Sequence, residues 1–403
     1  PGDDAFAAAE AWLASRRAGA LAAPSVASVG PSAPHESAPS SEPAESTESA
    51  LHRLLGRPAA PAPVAAGGAA GVMRSLIESV VRPHVTPDVS ARRAPLLAAL
   101  DQALAEDMRS LLASPPFRAI EGAWRGAERV IRTLDTDTDL RIVLFDACRQ
   151  DLIDAVAAAG GNLEASALHR LLVGGDQGWA LIAADLAVGL AGADLRLLAA
   201  LGAIAARAGG AFVAGASPSL LGGGTDQALA DPSTWSPPDD AADGPFWRAL
   251  RESPVAAHIG LALPRVLARL PYGKKTEPVD SFSFEELPPG VGASAAHRVW
   301  FGGAFAVAEV YGAAFREQGW PMDPPAQTDI EDLPAHTFDD DGESRLIPCA
   351  EVGLGERAAA AILAGGVMPI LARRDRGTVR IGGLSSIADP PQPLAGPWGA
   401  RAT

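Results

Sequence analysis

The chain of 403 residues carries 33 Lys and Arg against 48 Asp and Glu, a formal net charge of -15, and its pI is about 4.9, which argues against a broad electrostatic grip on nucleic acid. Its length and 48% hydrophobic content suffice for two or three domains with a buried core. Gly 42 and Pro 35 exceed ordinary usage without reaching a wholly low-complexity composition, so disorder is expected to be local.

Cys148 and Cys349 are too few for a disulfide scaffold or a cysteine metal site, and both are expected as buried small hydrophobes in a reducing compartment. The most apolar stretch, 178–216, is interrupted by Asp185, Asp194, Arg196 and Arg207, so no membrane span is expected. The first residues, PGDDAFAAAEAWLASRRAGALA, are acidic before they are basic, the reverse of a secretory signal. The absence of an initiator Met suggests a processed or fragmentary start.

In chain order, residues 1–21 read as a short helix, fitting the end of a fused upstream domain. Residues 22–71, rich in Pro, Ala and Ser, read as a disordered linker: they hold too few large apolar groups to offset roughly 1–2 kcal/mol of ordering entropy per residue. A helical part follows over 72–135, where Leu97, Leu100, Leu104, Met108, Leu111 and Leu112 form one stripe. Pro115 and Pro116 then end one helix, and the next presents Phe117, Ile120, Trp124, Ala127, Val130 and Ile131 on one side.

Over 136–320 short apolar runs alternate with helical segments. Strands are expected at 140–147 (LRIVLFDA), 178–185, 211–217 and 258–264, with helices at 149–159, 193–208 and 246–251. Near-continuous apolar strands with helices between them predict an α/β core, a mostly parallel sheet flanked by helices. A long helix is expected over 294–320, then a smaller α+β portion over 321–390 and a tail over 391–403.

A search for chemistry finds little. GASPSLLGGGTDQ at 215–227 follows an expected strand but lacks the Gly-Lys-Ser/Thr of a phosphate loop, and Ser217 misses the G-x-S-x-G nucleophile elbow, so a turn is the better reading. His35, His52, His84, His169, His258, His297 and His336 form no paired metal-ligand spacing. FDDDGE at 338–343 lacks the alternation of a calcium loop. Glu285 and Glu286 are adjacent, so as strand residues they would face opposite sides, and a solvated loop is expected there. No catalytic, cofactor or metal residues are assigned.

The irregular stretch 263–286, LPRVLARLPYGKKTEPVDSFSFEE, stands apart, because irregular segments this long are usually functional or interfacial. It reads either as a loop pinned by Tyr272, Phe282 and Phe284 or as a partner-contact surface. In the second reading Lys274 and Lys275 form a local positive site suited to a carboxylate-bearing partner, with Tyr272 and Glu285 beside them.

SPPFRAIEGAWRG at 114–126, FVAGASPS at 212–219, the stretch from Trp247 to Glu286, IEDLPAHTF at 330–338 and the segment 346–386 together resemble the large subunit of the type VI secretion contractile sheath, the TssC/VipB (ImpC/EvpB) family. The likeness is collinear from Val72 to Ser386. It implies a structural protein rather than an enzyme, with no cofactor. The implied partners are a small sheath subunit of the TssB/VipA type, further copies in a helical tube, the inner-tube protein and a disassembly ATPase, in the bacterial cytoplasm, with neither nucleic acid nor membrane. Trp124, Arg125, Gly126, Pro264, Pro271 and Gly273 lie in the signature. Trp124 is expected in the core, Arg125 as a fork for a carboxylate and Gly126 as a close helix contact. Two departures are visible: the first 70 residues differ from the family's usual start, and the chain ends in ADPPQPLAGPWGARAT where the family continues with interlacing strands. A non-polymerising adaptor of the same machine, or a small-molecule or nucleotide-binding α/β enzyme, are the alternative readings.

Overall fold

A computed structural model describes residues 89–175, 178–287, 295–322, 328–335, 337–340, 343–373 and 376–398. The helix and linker expected over 1–71, the start of the helical part at 72–88, His336 and part of the acidic turn near 341 lie outside the described residues.

Two helices come first, α1 (Val89–Ala113) and α2 (Pro115–Thr133), divided at Ser114, where Pro at the start of α2 suits a position whose N–H needs no partner. Then follow α3 (Arg149–Ala158), α4 (Ala167–Leu172), β1 (Leu181–Val188), α5 (Gly192–Arg207), β2 (Ala211–Ala216), α6 (Gly244–Arg251) and β3 (Ile259–Leu263). The Leu263–Pro264 peptide is cis, and β4 (Val266–Arg269) begins two residues later. After the long loop come β5 (Val299–Phe301), α7 (Gly303–Gln318), β6 (Asp329–Ile330), β7 (Thr337–Asp340), β8 (Glu343–Leu346), α8 (Glu356–Ala364), β9 (Met368–Ala372) and β10 (Val379–Ile381).

The main sheet has the order β1-β2-β3-β9-β10-β6. The first three junctions are parallel and the last two antiparallel, so the expected mostly parallel α/β sheet is present. The alternating run of apolar segments and helices dictates this, since each parallel junction needs a crossover. One side packs α5, with Leu195, Leu198, Leu201 and Ile204, against Phe212, Ile259 and Leu261. The other packs α7, with Val307, Val310 and Tyr311, against Val213, Met368 and Ile370. Both layers are apolar because a sheet covered on two faces has no wet side.

Four expectations are corrected. LRIVLFDA at 140–147 forms no strand: it is irregular, and Val143, Leu144 and Phe145 are exposed. Strand propensity is realised only through a neighbouring strand, and β1 pairs with β2 instead. The long helix expected over 294–320 is divided, because Val-Trp-Phe at 299–301 pairs antiparallel with β4 and the helix starts only after Gly302. The stripe on α1 faces outward at Leu97, Leu100, Leu104 and Leu111, while Ala105 and Leu112 are buried. Of the cysteines, Cys349 is buried but Cys148 is exposed at the start of α3.

Candidate functional site

Helix α2 organises the most heavily cross-linked region of the described chain. Arg118, Glu121, Gly122, Arg125, Gly126 and Arg129 recur at i, i+3, i+4, i+7, i+8 and i+11, one helical face. Gly122 and Gly126 are buried, and a Cβ added at Gly122 would strike the Trp300 carbonyl, whereas one at Gly126 would strike the Phe305 ring. The helix therefore approaches β5 and α7 at backbone distance, and the long polar side chains beside the glycines reach past the contact to partners on other elements.

This phase corrects the expectation for Trp124. It lies about 200° around the helix from both glycines, at 100° per residue, and is 64% exposed. Apolar size suggested the wrong face, because contact here is made by the smallest residues.

Arg269, at the end of β4, lies 3% exposed between two carboxylates. Its Nε donates to Glu121 Oε1 at 2.5 Å and its Nη2 to Glu121 Oε2 at 3.0 Å. Nη1 donates to Glu286 Oε2 at 2.6 Å and Nη2 to Glu286 Oε1 at 3.1 Å. Burial would lower the guanidinium pKa, but the hydrogen bonds and charges of Glu121 and Glu286 outweigh it and raise it above the ordinary arginine value. At Glu121 burial pushes the carboxyl up, and Arg269 followed by Arg125 brings it below the ordinary carboxylate value. Glu286 is thus a buried ion-pair partner, which corrects the expected solvated loop; Glu285 alone is exposed.

The signature residues of the loop close on this pair. The Tyr272 ring sits 4.4 Å beneath the Arg269 guanidinium, and Arg125 Nη2 donates to its hydroxyl at 3.1 Å while Arg125 Nε donates to Glu121. The backbone N–H of Tyr272 donates to Glu286 and that of Lys274 to Glu285. Gly273 is buried, and a Cβ there would meet the Glu285 carboxylate. The Thr276 hydroxyl donates to the Pro271 carbonyl at 2.5 Å, and Pro264 follows β3. Phe282 and Phe284 pack with Tyr272, Phe117 and Leu112 beneath the loop. Lys274 and Lys275 project from it, exposed and without an ion pair among the described residues.

Farther along α2, Arg129 grips Glu309 of α7 in a two-pronged pair at 2.8 and 2.9 Å and also donates to the carbonyls of Glu331 and Asp332. Asp332 adopts φ 53, a left-handed conformation that Asp tolerates better than most residues and that sets its carbonyl toward Arg129. The motifs IEGAWRGAER, PYGKKTEP and IEDLP, distant in sequence, therefore meet through three arginines. Sequence reading found Arg125, placed Glu286 in a solvated loop and passed over Arg269, Arg129 and Glu309; the signal available was the Arg/Glu/Gly recurrence in α2, which a search for apolar periodicity ignores.

The Gly-rich segment forms turns. Ser217 accepts from Ser219 N–H, the Ser219 hydroxyl accepts from Leu190 N–H, and Gly222 at φ 80 closes the turn. A groove of about 460 Å³ between α3 and α5 is lined by Ile153, Val156, Leu163 and Leu197, with Arg196 at its side. Among the described residues no group of three or more His, Cys, Asp or Glu could hold a metal ion, and no helix is long and apolar enough to cross a membrane.

The EvpB/VC_A0108 tail sheath N-terminal domain matches residues 95–388, which includes α2, the loop and every strand of the main sheet. The chain belongs to the tail-sheath family. The type VI secretion system sheath protein TssC1 of Pseudomonas aeruginosa is 29% identical over 307 residues, covering 73% of this chain and 61% of that protein. In this sheath-family chain the charged groups of the arginine network are committed to one another and tie the loop to the core.

Proposed function

We propose that the chain is a structural subunit of a type VI contractile sheath in the bacterial cytoplasm. In this reading it assembles with a small subunit of the TssB/VipA type around an inner tube, and contraction of the sheath drives that tube. Family membership supports the reading. The observation that carries it is the apolar surface left outward: Leu100, Leu104 and Leu111 of α1, Ile120, Trp124 and Ile131 of α2, and Val143 and Leu144. So many large apolar side chains exposed on two consecutive helices and the segment after them fit a surface made for another protein. Lys274 and Lys275, free on a loop locked from beneath, are the proposed contacts to an acidic partner surface.

Co-expression with a small sheath subunit, followed by negative-stain microscopy, tests the assignment. Hollow tubes are expected; a soluble heterodimer would indicate an adaptor, and no association would overturn the reading. Reversing both lysines to Glu should weaken co-assembly and flatten its salt dependence while the separate chain stays folded. Unchanged yield and salt dependence would remove the loop from the contact.

A further inference from the structure

Arg298 is the exception to the pattern around it. It is 5% exposed, immediately before β5. Its Nε and Nη2 are sealed from solvent without a hydrogen bond; Nη1 also has none, but is not among the sealed atoms, which leaves it as the open edge of the group. Its neighbour Arg118 spends Nη1 on the Ala296 carbonyl and Nη2 on the Ala113 carbonyl, and its Nε is likewise buried without a partner. Two guanidinium groups thus converge on residues 295–298, where exposed His297 is the other titratable side chain, and no carboxylate pairs with either arginine among the described residues. Burial pushes Arg298 down to about 10.

Elsewhere the fold answers such groups. Arg269 has Glu121 and Glu286, and Arg129 has Glu309, each acid carried by a different element. A buried unpaired charge destabilises the fold that holds it, and native structures rarely leave buried donors unmet. The guanidinium fork matches a carboxylate in shape and charge better than it matches a neutral acceptor.

We propose that Arg298, supported by Arg118, is a receptor for an Asp or Glu side chain delivered by the co-assembling subunit. The isolated chain then holds an unsatisfied charge that docking neutralises, so association is favoured by a partner that places an acid at this point. This rests on the assembly reading above, and the experiment separates the two.

The full chain is compared as wild type, R298M and R298K, alone by thermal unfolding and with the purified small subunit by binding. Alone, R298M should melt about 2–4 °C higher, the shift expected for each kcal/mol recovered in a domain of this size. In the complex the same change should weaken binding about 100-fold, since it strands the incoming carboxylate, with R298K intermediate. A lower melting temperature in both variants would show that Arg298 is satisfied within the chain and overturn the proposal. Equal binding by wild type and R298M would overturn it while leaving the assembly reading intact; no binding by wild type would defeat both. Inorganic phosphate or acetate that raises the melting temperature of wild type but not of R298M, with complex formation unaffected, would reassign the site to a small anion.

Discussion

Arg269 and Arg298 stand side by side at the junction of β4 and β5, where Arg269 pairs in register with Val299. Both are almost fully buried. Arg269 is met by two carboxylates and a tyrosine ring, all from the same chain; Arg298 is met by none among the described residues. Since their depth is similar, the difference lies in which neighbours the fold supplies. A charge the chain satisfies itself locks its own loop; a charge it leaves open waits for something from outside. The comparison teaches that burial alone does not say whether a charged group serves stability or association, and that the partner list does.

The comparison is broken most directly by removing the satisfied charge. Arg269→Met leaves Glu286 without a counterion, holding only the Tyr272 N–H, and leaves Glu121 with Arg125, so a loss of about 3–5 kcal/mol is expected, read by chemical denaturation of the full chain. The sign is opposite to that expected for R298M, and equal effects from the two substitutions would dissolve the distinction. Next in size, Gly126→Ala drives a methyl group into the Phe305 ring and should cost about 1–3 kcal/mol through overpacking. A neutral result would show that α2 does not need to lie this close to α7.

The smallest effect sharpens the network by pH. Glu121 is held below its ordinary value of 4.5, burial opposing and Arg269 then Arg125 prevailing. The unfolded carboxyl ionises near 4.5, so the stability contributed by the pairing is complete above that pH and is lost as pH falls through the lower folded value. Stability measured from pH 6 to pH 3 should therefore fall more steeply in wild type than in Glu121→Gln. Parallel curves would mean that Glu121 titrates alike in both states.

Much of the architecture was legible because it rests on local regularities. Apolar runs such as Ala211–Ala216 and Ile259–Leu263, separated by helix-length segments, dictate a covered parallel sheet whatever the details of packing. The sheath resemblance, carried by motifs in α2 and the 263–286 loop, pointed to the regions that the network joins. Residues 140–147 and 299–301 show the limit. The first has strand composition and no strand partner among the described residues, the second helix-like surroundings and a partner in β4, and pairing between distant segments is not written in either one.

By itself the sequence determined the fold class, the family and the lack of a recognisable catalytic motif, since these depend on composition, spacing and motif order. Only the tertiary structure decided which face of α2 is buried, that Glu286 and Arg269 are partners, that Trp124 points outward and that Arg298 has no counterion among the described residues. Each of these depends on what a side chain meets across the fold, and glycine contacts and ion pairs between remote elements leave no periodic trace along the chain.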